Sequence, residues 1–392
     1  MRRLSQGHGL DMLNVVIGTA SLAIWVYLLL ARGRFWRCRE RDAGDPGEPP
    51  VWPAVTAIVP ARNEAEHVEK SIGSLLAQDY PGRLTIILVD DESDDGTAIA
   101  AERVAARLQK HRFVLIRSRG LPQGWTGKLW AVKQGIAEAL SDRPAYLLLT
   151  DADIEHASGN LRWLVAHAQA GGFVLTSLMA KLRCESLAER SHNPAFIFFF
   201  QMLYPFAWVN RAEMVTAAAA GGCMLVQTDA LLRAGGIDSI RGALIDDCAL
   251  AQRLKPYGPI WIGLTERIRS IRAYSWNEIR RMISRSAYAQ LRYSPILLVA
   301  TMAGLGLTYL APVLLALTAG GPARLLGFLS WGLMALAFQP SLRFYRLSPL
   351  WGVALPFIAL LYMLYTLDSA YQYARGRGGV WKGRVQANAS GG

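Results

Sequence analysis

Short apolar runs alternate with helical patterns through the middle of this chain, and this alternation limits the possible folds more than any other feature. The runs are rich in Val, Ile and Leu and end at polar turns, which is typical of buried strands. Strands that alternate with helices predict βαβ units and a mainly parallel sheet. The expected strands are Ala54–Val59, Leu84–Val89, Phe113–Arg117, Ala145–Thr150 and Phe173–Leu178. The expected helices are Glu64–Gln78, Gly96–Lys110, Gly127–Leu140 and Ser158–Gln169.

Two carboxylates, Asp151 and Asp153, stand one residue apart where the fourth of these runs ends. Open α/β sheets bind ligands outside the carboxyl ends of their strands. Mg²⁺ and Mn²⁺ prefer oxygen ligands and often share them with substrate phosphates. A lone Asp-x-Asp is a weak signal. Its position after a buried strand therefore carries the prediction of a divalent cation held against a diphosphate.

Four apolar segments lie outside this region and explain a mean hydropathy of +0.20, which is high for a soluble protein. They are Met12–Ala31, Pro295–Ala319, Leu325–Gln339 and Leu350–Leu367. About 20 apolar residues span a bilayer. The first segment is expected to be a signal anchor, because it is too long for a cleaved signal peptide and no A-x-A-like site closes it. The third is short, which leaves a re-entrant course open.

The arginines around the first segment predict its orientation. Five of them follow it between residues 32 and 41, whereas Arg2 and Arg3 alone precede it. The positive-inside rule therefore places residue 32 onward in the cytoplasm. Three further crossings would leave the C-terminal tail outside, but the basic residues of that tail favour the inside. These are Arg375, Arg377, Lys382 and Arg384. A non-spanning third segment would reconcile the two, and the sequence leaves this topology open.

The net charge of +12 has two interpretations. No nucleic-acid-binding module is visible, so basic segments facing anionic lipid explain the charge better than nucleic acid does. The four cysteines show no Cys-x-x-Cys spacing, which does not favour zinc and fits a reduced cytoplasmic domain. We expect a multi-pass protein of the cell inner membrane with its catalytic domain in the cytoplasm.

Four polar segments occur in a fixed order between residues 59 and 254. They are Val59-Pro60-Ala61-Arg62-Asn63-Glu64, Val89-Asp90-Asp91-Glu92-Ser93-Asp94-Asp95-Gly96-Thr97, Asp151-Ala152-Asp153 and Ile245-Asp246-Asp247-Cys248-Ala249-Leu250-Ala251-Gln252-Arg253-Leu254. Together they resemble the family 2 glycosyltransferases, whose GT-A fold is a Rossmann-like nucleotide-diphospho-sugar transferase domain. The sequence departs from that pattern at Asp246, where Glu is usual. The resemblance implies a GT-A domain, to which the apolar segments add transmembrane helices at both ends.

The resemblance also implies a UDP-sugar donor. Asp90 or Asp91 would accept a hydrogen bond from the uracil ring, since a carboxylate offers acceptors to a ring N–H. Pro60, Ala61 and Glu64 would line the nucleotide pocket. An alternative for the acidic turn is structural, because Asp95 or Thr97 could cap the following helix.

For catalysis, the resemblance implies that Asp151 and Asp153 hold Mg²⁺ or Mn²⁺ on the diphosphate. Asp247 would be the base that takes the proton of an acceptor hydroxyl, with Asp246 beside it, and the sugar configuration would invert. An alternative role for Asp247 is a helix N-cap, and the two roles are compatible. Lys128 is expected either to touch donor phosphate or to be a solvated lysine at a helix start. Gly127-Lys128 is not a P-loop, since Pro122 and Leu129 occupy two required positions.

A processive synthase of this family would carry Q-x-x-R-W where this chain has Arg281-Met-Ile-Ser-Arg-Ser-Ala-Tyr288. The missing glutamine and tryptophan favour transfer of a single sugar to a lipid. Arg285 fits the arginine of that motif and would stabilise the diphosphate. The alternative is a basic face of an interfacial amphipathic helix, because Trp276, Ile279 and Ile283 recur at helical spacing.

The aromatic segment Pro194–Trp208 is expected either to be a core helix or to dip into the bilayer and guide a lipid acceptor. Further segments are similar to the bacterial hopanoid-biosynthesis-associated glycosyltransferases, which implies a hopanoid or related lipid as the acceptor. These segments are Arg285–Pro295, Arg343–Pro349, Leu367–Ala370 and Arg375–Arg384.

The expected organisation runs from a signal anchor and basic linker (1–52) through a GT-A domain (53–275), an amphipathic helix (276–294) and transmembrane segments (295–370) to a basic tail (371–392). The alternatives are sugar transfer to a polyprenyl phosphate and a non-catalytic membrane scaffold. The donor sugar, the acceptor hydroxyl and the oligomeric state are not readable from the sequence.

Overall fold

A computed structural model describes the backbone of residues 2–379 and the side chains from residue 9 onward. Lys382 and Arg384 of the predicted basic tail lie outside the described residues. The strands are β1 Val55–Ala61, β2 Leu84–Asp90, β3 Arg112–Arg117, β4 Tyr146–Leu149, β5 Ile154–His156, β6 Leu175–Lys181, β7 Met224–Gln227 and β8 Ile260–Ser270. The helices of the domain are α2 Ala65–Leu76, α3 Thr97–Arg107, α4 Gly127–Ala139, α5 Asn160–Gly171, α6 Leu187–Leu203, α7 Phe206–Val209, α8 Thr228–Arg233 and α9 Asp246–Leu254. The remaining helices are α1 Arg2–Leu30, α10 Trp276–Gln290, α11 Pro295–Leu305, α12 Ala311–Thr318, α13 Gly321–Phe344 and α14 Leu355–Ala374.

The strands form one eight-stranded sheet in the order β3-β2-β1-β4-β7-β6-β8-β5. Every residue of β1 and β2 is buried, as their apolar runs predict, whereas both ends of the edge strand β3 are exposed. Strands β3, β2, β1 and β4 are parallel, which confirms the predicted βαβ half. Beyond β4 the sheet is mixed, because β7 runs antiparallel to β4 and β6. Pattern analysis had not predicted β5, β7 or β8.

The strand order reverses between β1 and β4. The chain adds β2 and β3 on one side of β1 and then returns to place β4 on the other side. Ligands of open α/β sheets bind at such a switch point, outside the carboxyl ends of the strands. Pro60 lies at the end of β1 and Asp151 directly beyond β4, so the fold brings two of the predicted segments to one place.

Four helical segments are long and apolar enough to cross a membrane. They are Gly9–Leu30, Pro295–Thr318, Gly321–Phe344 and Pro349–Ala374. The prediction that the third is short was wrong, because α13 has 24 residues. Its helix extends beyond the apolar run at both ends, and Arg324 near its start donates to the carbonyl of Ala319 over 2.7 Å.

The last of these segments reverses direction. Residues 349–354 form a 3₁₀ helix that runs back along α13, since Gln339 donates to the carbonyl of Pro349 over 3.1 Å and Trp331 to that of Val353 over 3.1 Å. The segment starts at the domain side, because the neighbouring Tyr345 hydroxyl accepts a bond from the backbone N–H of domain residue Leu182.

Helix α14 then returns to the domain side along α10. The Ser284 hydroxyl donates to Asp368 over 3.0 Å, and the backbone N–H of Tyr288 donates to the Ser369 hydroxyl over 3.0 Å. Helix α10 follows β8 almost directly and begins with a capping box of Ser275 and Glu278. Both ends of the segment 349–374 therefore lie next to the α/β domain.

The aromatic segment that contains α6 joins the domain to the apolar helices. Phe198 is fully buried, with its ring centroid 5.2 Å from that of Phe35 and 5.4 Å from that of Phe338. Phe199 packs edge-on against Tyr309 and Tyr362. The structure supports the core-helix alternative for these residues, because their rings meet other protein rings.

Candidate functional site

The turns after β1 and β2 are tied together by backbone and side-chain hydrogen bonds. The backbone N–H of Asp91 donates to the carbonyl of Ala61 over 2.8 Å, and the Thr97 hydroxyl accepts from the N–H of Glu64 over 2.8 Å. Asp95 accepts from the backbone N–H groups of Ala65 and Thr97, so part of the acidic turn has the structural role considered above. Helix α3, however, has Gly96 at its N-cap position.

Asp90 and Asp91 are both buried at this edge of the sheet. Asp90 accepts a bond from the N–H of Ser93 over 3.3 Å, and the Arg62 guanidinium lies 3.8 Å from the Asp91 carboxylate. Buried carboxylates need partners that compensate for lost hydration. Both predicted base-recognition residues are thus held in place beside the turn of Pro60, Ala61 and Glu64.

Lys128 stands at the centre of a second cluster. Helix α4 begins after Thr126, whose hydroxyl accepts from the N–H of Leu129, and this cap places Lys128 in the first turn. Lys128 Nζ lies 2.9 Å from Asp151 Oδ1 and 3.0 Å from Asp246 Oδ2. Burial by itself would lower the pKa of Lys128, but the two carboxylates outweigh it and raise the pKa. The alternative of a solvated lysine was wrong, because Lys128 forms ion pairs with two carboxylates.

Asp247 lies beside this cluster at the start of α9. Its Oδ2 accepts from the backbone N–H of Gly221 over 2.9 Å, and its Oδ1 accepts from the N–H of Cys248 over 2.7 Å. Burial and the negative charge of Asp246 together raise the pKa of Asp247 to about 6, although Lys128 partly opposes them. The helix has Ile245 at its N-cap position, so the alternative of an N-cap role for Asp247 was wrong.

Asp153 is held by Arg272, a residue that pattern analysis had not identified. Arg272 Nε donates to Asp153 Oδ2 over 2.9 Å, and Arg272 Nη2 forms an ion pair with the carboxylate of Glu64. Pairing of β5 with β8 brings Arg272 here, and the N–H of Ile271 donates to the carbonyl of Asp153. A basic residue two positions after a strand end was the available signal, but it gained meaning only once β8 was known.

The residues predicted to hold a metal can supply only part of a coordination shell. Within residues 2–379, no group of three or more His, Cys, Asp or Glu side chains has the arrangement of a metal site. Asp151 and Asp153 offer carboxylate oxygens, the ligand type that Mg²⁺ and Mn²⁺ prefer, and such ions commonly take further oxygens from water and substrate phosphate. The donor set therefore fits a hard cation shared with a diphosphate.

Arg285 belongs to a different element from the residues of these clusters. It lies on α10, where Ile279 and Ile283 form the buried stripe that the amphipathic pattern predicts. Nε of Arg285 is buried and donates to no partner in the described part of the chain. Near the end of the same helix, Gln290 Nε2 donates to the Tyr204 hydroxyl over 2.7 Å. Helix α10 thereby reaches the C-terminal end of α6.

Residues 56–233 match the family model described as glycosyl transferase family 2. The chain is 33% identical over 102 residues to a 4,4'-diaponeurosporenoate glycosyltransferase of Staphylococcus haemolyticus, which is 26% of this chain and 24% of that protein. It is 38% identical over 58 residues to an N-acetylglucosaminyltransferase of Mesorhizobium japonicum, 14% of each chain. The matched region thus spans a quarter or less of these relatives.

The fold is similar to that of a solved mannosyltransferase from Pyrobaculum calidifontis in complex with GDP-Man and Mn²⁺. The TM-score is 0.56 and the identity 20%, over 90% of this chain and 99% of that one. At this identity the likeness establishes the fold alone. Residues 56–233 thus match glycosyl transferase family 2, and the chain has the GT-A fold, which confirms the predicted fold and the predicted class of enzyme, a glycosyltransferase.

Proposed function

We propose that this chain is a metal-dependent, inverting glycosyltransferase that moves a sugar from a UDP-sugar to a hydroxyl of a membrane lipid. The observation that carries the proposal is the half-buried cluster of Lys128, Asp151, Asp246 and Asp247 beside the switch point of the sheet. The family 2 domain supports a nucleotide-sugar donor, and the apolar segments support an acceptor in the membrane.

The donor nucleotide is proposed to lie along the turns after β1 and β2. Pro60, Ala61 and Glu64 would line its pocket, and Asp90 or Asp91 would accept the N–H of a uracil ring. The choice of uracil rests on the resemblance of the acidic turn. Because the Pyrobaculum neighbour was solved with GDP-Man, a GDP-sugar belongs among the donors to be assayed.

The diphosphate is proposed to lie between Lys128 and the pair Asp151 and Asp153. A bound Mg²⁺ or Mn²⁺ would supply neutralisation of the charge that develops on the leaving diphosphate. The donor oxygens of Asp151 and Asp153 fit such an ion, and the Mn²⁺ in the Pyrobaculum neighbour supports this choice. Lys128 would place a further positive charge beside the same phosphate oxygens.

Asp247 is proposed to take the proton of the acceptor hydroxyl. The acceptor oxygen forms a bond to the anomeric carbon while the bond from that carbon to the diphosphate oxygen breaks, and the electron pair leaves with UDP. Attack from the face opposite UDP inverts the configuration. A pKa of about 6 keeps most of the Asp247 carboxylate ionised at neutral pH and yet basic enough to accept a proton.

The acceptor is proposed to be an apolar lipid with one polar end, with a hopanoid as the leading case. The residues at 285–295, 343–349 and 367–370 resemble the hopanoid-associated enzymes, while one relative is named for 4,4'-diaponeurosporenoate, an apolar carboxylate. A carboxylate or a polyprenyl phosphate is already ionised and would need little help from a base. A rate of sugar transfer that depends strongly on Asp247 would therefore indicate a hydroxyl acceptor, whereas a weak dependence would indicate a carboxylate or a phosphate.

The domain and both ends of the segment 349–374 are proposed to lie in the cytoplasm. Three helical segments would then cross the inner membrane, and the fourth would enter and leave on the domain side. The contacts of Pro349 and Val353 with α13 and of Ser369 with α10 support this course. It would also place Arg375 and Arg377 on the same side as the five arginines after α1.

The decisive experiment is UDP or GDP release by the purified protein in detergent. A panel of UDP-sugars and GDP-Man is offered with a hopanoid polyol, with a polyprenyl phosphate, and without lipid. Release that needs the polyol and is lost in Asp247→Asn supports the proposal. Release with polyprenyl phosphate that survives Asp247→Asn would favour the second acceptor class. No nucleotide binding with any metal would indicate a scaffold and overturn the proposal.

A further inference from the structure

Arg272 connects the predicted metal pair to the predicted nucleotide pocket. Its guanidinium donates from Nε to Asp153 Oδ2 over 2.9 Å and from Nη2 to both carboxylate oxygens of Glu64. The side chains of Asp153 and Glu64 are 15% and 9% exposed, and this cation compensates charge on both carboxylates. The Arg272 side chain thus pairs with two acidic residues, one proposed to bind the metal and one proposed to line the nucleotide pocket.

The same arrangement recurs on the other side of the site. Lys128 lies between Asp151 and Asp246 as Arg272 lies between Asp153 and Glu64. Both carboxylates proposed to hold the metal therefore have an ammonium or guanidinium as their partner when no donor is bound. A divalent cation could bind these two carboxylates only if their ion pairs with Lys128 and Arg272 were broken.

A diphosphate offers the partner that these cations would need. A guanidinium pairs with phosphate oxygens through the same planar fork that it uses for carboxylates, and such charge-assisted bonds are strong. Exchange of Asp153 for a phosphate oxygen would leave the charge of Arg272 compensated and release Asp153 to the metal. Metal without a diphosphate would instead leave the half-buried guanidinium of Arg272 with one partner fewer.

We infer that Arg272 is a positioning residue that couples the binding of the metal and the nucleotide. Its guanidinium keeps Asp153 paired, and Asp153 becomes available to the metal only when a nucleotide diphosphate accepts the hydrogen bond of Arg272 instead. The inference rests on the proposed function, since it presumes a nucleotide-sugar donor and a divalent cation. Coupling of this kind is reciprocal, so the metal and the nucleotide must each strengthen binding of the other.

The test is binding rather than turnover. Mn²⁺ binding without nucleotide and UDP binding without metal are measured by calorimetry on the full chain in detergent, for the wild type and Arg272→Gln. Loss of the guanidinium should tighten Mn²⁺ binding and weaken UDP binding, each on the order of tenfold, the factor expected for one charge-assisted hydrogen bond. These opposite signs are what a merely structural arginine would not produce.

Two further variants make the result interpretable. Arg269→Gln removes an exposed arginine of β8 whose partner is Glu155, and it should leave both affinities unchanged. Arg272→Lys keeps the charge without the fork, and it should give a smaller change of the same two signs. It also preserves charge compensation for Glu64 and Asp153 should Arg272→Gln fold poorly.

The outcomes separate this inference from the proposed function. Wild-type protein that binds neither UDP nor GDP, with or without metal, would overturn both. Wild-type protein that binds metal and nucleotide together would uphold the proposed function. If Mn²⁺ affinity in Arg272→Lys and Arg272→Gln then stays unchanged or falls, the coupling role of Arg272 is wrong.

Discussion

The backbone N–H of Gly221 donates to Asp247 Oδ2 over 2.9 Å, so a glycine three positions before β7 fixes the direction of the proposed base. A Cβ at Gly221 would lie 3.4 Å from both Asp247 Oδ2 and Lys128 Nζ. Glycine at this position therefore keeps open the space between the base and the cation. The two acidic residues of α9 and the lysine of α4 meet across this gap.

Substitution Gly221→Ala should lower kcat with little loss of stability. The added methyl makes ordinary contacts, so the fold should persist, but it enters the space between Asp247 and Lys128 where the reacting groups are proposed to meet. Misplacement by about 1 Å can cost about a hundredfold in rate, which sets the scale of the loss. Steady-state UDP release and thermal unfolding measure the two effects. Wild-type kcat in this variant would mean that no reacting group lies there.

The rate should fall in acid as Asp247 becomes protonated. Burial and Asp246 raise the pKa of Asp247 to about 6, and a base works only in its ionised form. The rate with a lipid-hydroxyl acceptor should therefore be constant above this pKa and decline about tenfold per pH unit below it. A hydroxyl acceptor is required, because a phosphate acceptor titrates in the same range. A flat profile between pH 5 and 7 would argue against Asp247 as the base.

Removal of Lys128 should shift this acidic limb to higher pH. The positive charge of Lys128 lowers the pKa of Asp247, so its loss in Lys128→Gln raises that pKa and extends the inactive range upward. The variant also leaves Asp151 and Asp246 without their cation, which should weaken UDP binding. Lys133→Gln is the control, since Lys133 lies on the same helix and pairs with the half-exposed Asp238. A limb that moves downward would contradict the assigned electrostatics.

Short sequence patterns indicated the proposed site residues, but they did not indicate which side chains contact those residues. Asp151 and Asp153 were predicted because the end of a strand is a short-range feature, and Asp247 was predicted from its resemblance to a short family motif. The pairing of Arg272 with Asp153 depends on the contact between β5 and β8, which joins residues far apart in sequence and leaves no periodic signal. The course of residues 349–374 could not be predicted either. An apolar run has the same composition whether it crosses the membrane or returns to the side where it entered.

Phe198 should matter for stability rather than for lipid use. It is fully buried between Phe35 and Phe338, so Phe198→Ala opens a cavity where the domain meets the helices, at a cost of about 3–5 kcal/mol. Thermal unfolding in detergent should shift strongly downward. Phe328→Ala, which truncates a half-exposed phenylalanine of α13, should shift it little. A selective loss of lipid kinetics at unchanged stability would restore the lipid-guiding hypothesis for this segment.

The C-terminal tail should be accessible from the same side of the membrane as the catalytic domain. Single cysteines are placed on a background in which the four native cysteines are replaced, at four exposed positions that report the two sides. The variants are Asp94→Cys in the domain, Gly320→Cys between α12 and α13, Arg346→Cys after α13 and Arg375→Cys after α14.

In sealed vesicles of known orientation, a membrane-impermeant maleimide should label three of these variants from one side and Gly320→Cys from the other. The reason is geometric: the contacts of Val353 with Trp331 and of Ser369 with Tyr288 return α14 to the domain side. Labelling of Arg375→Cys together with Gly320→Cys would show that residues 349–374 cross the membrane. The basic tail would then be an exception to the positive-inside rule. Labelling with Asp94→Cys would instead assign Arg375 and Arg377 to the cytoplasmic face, where anionic lipid attracts them.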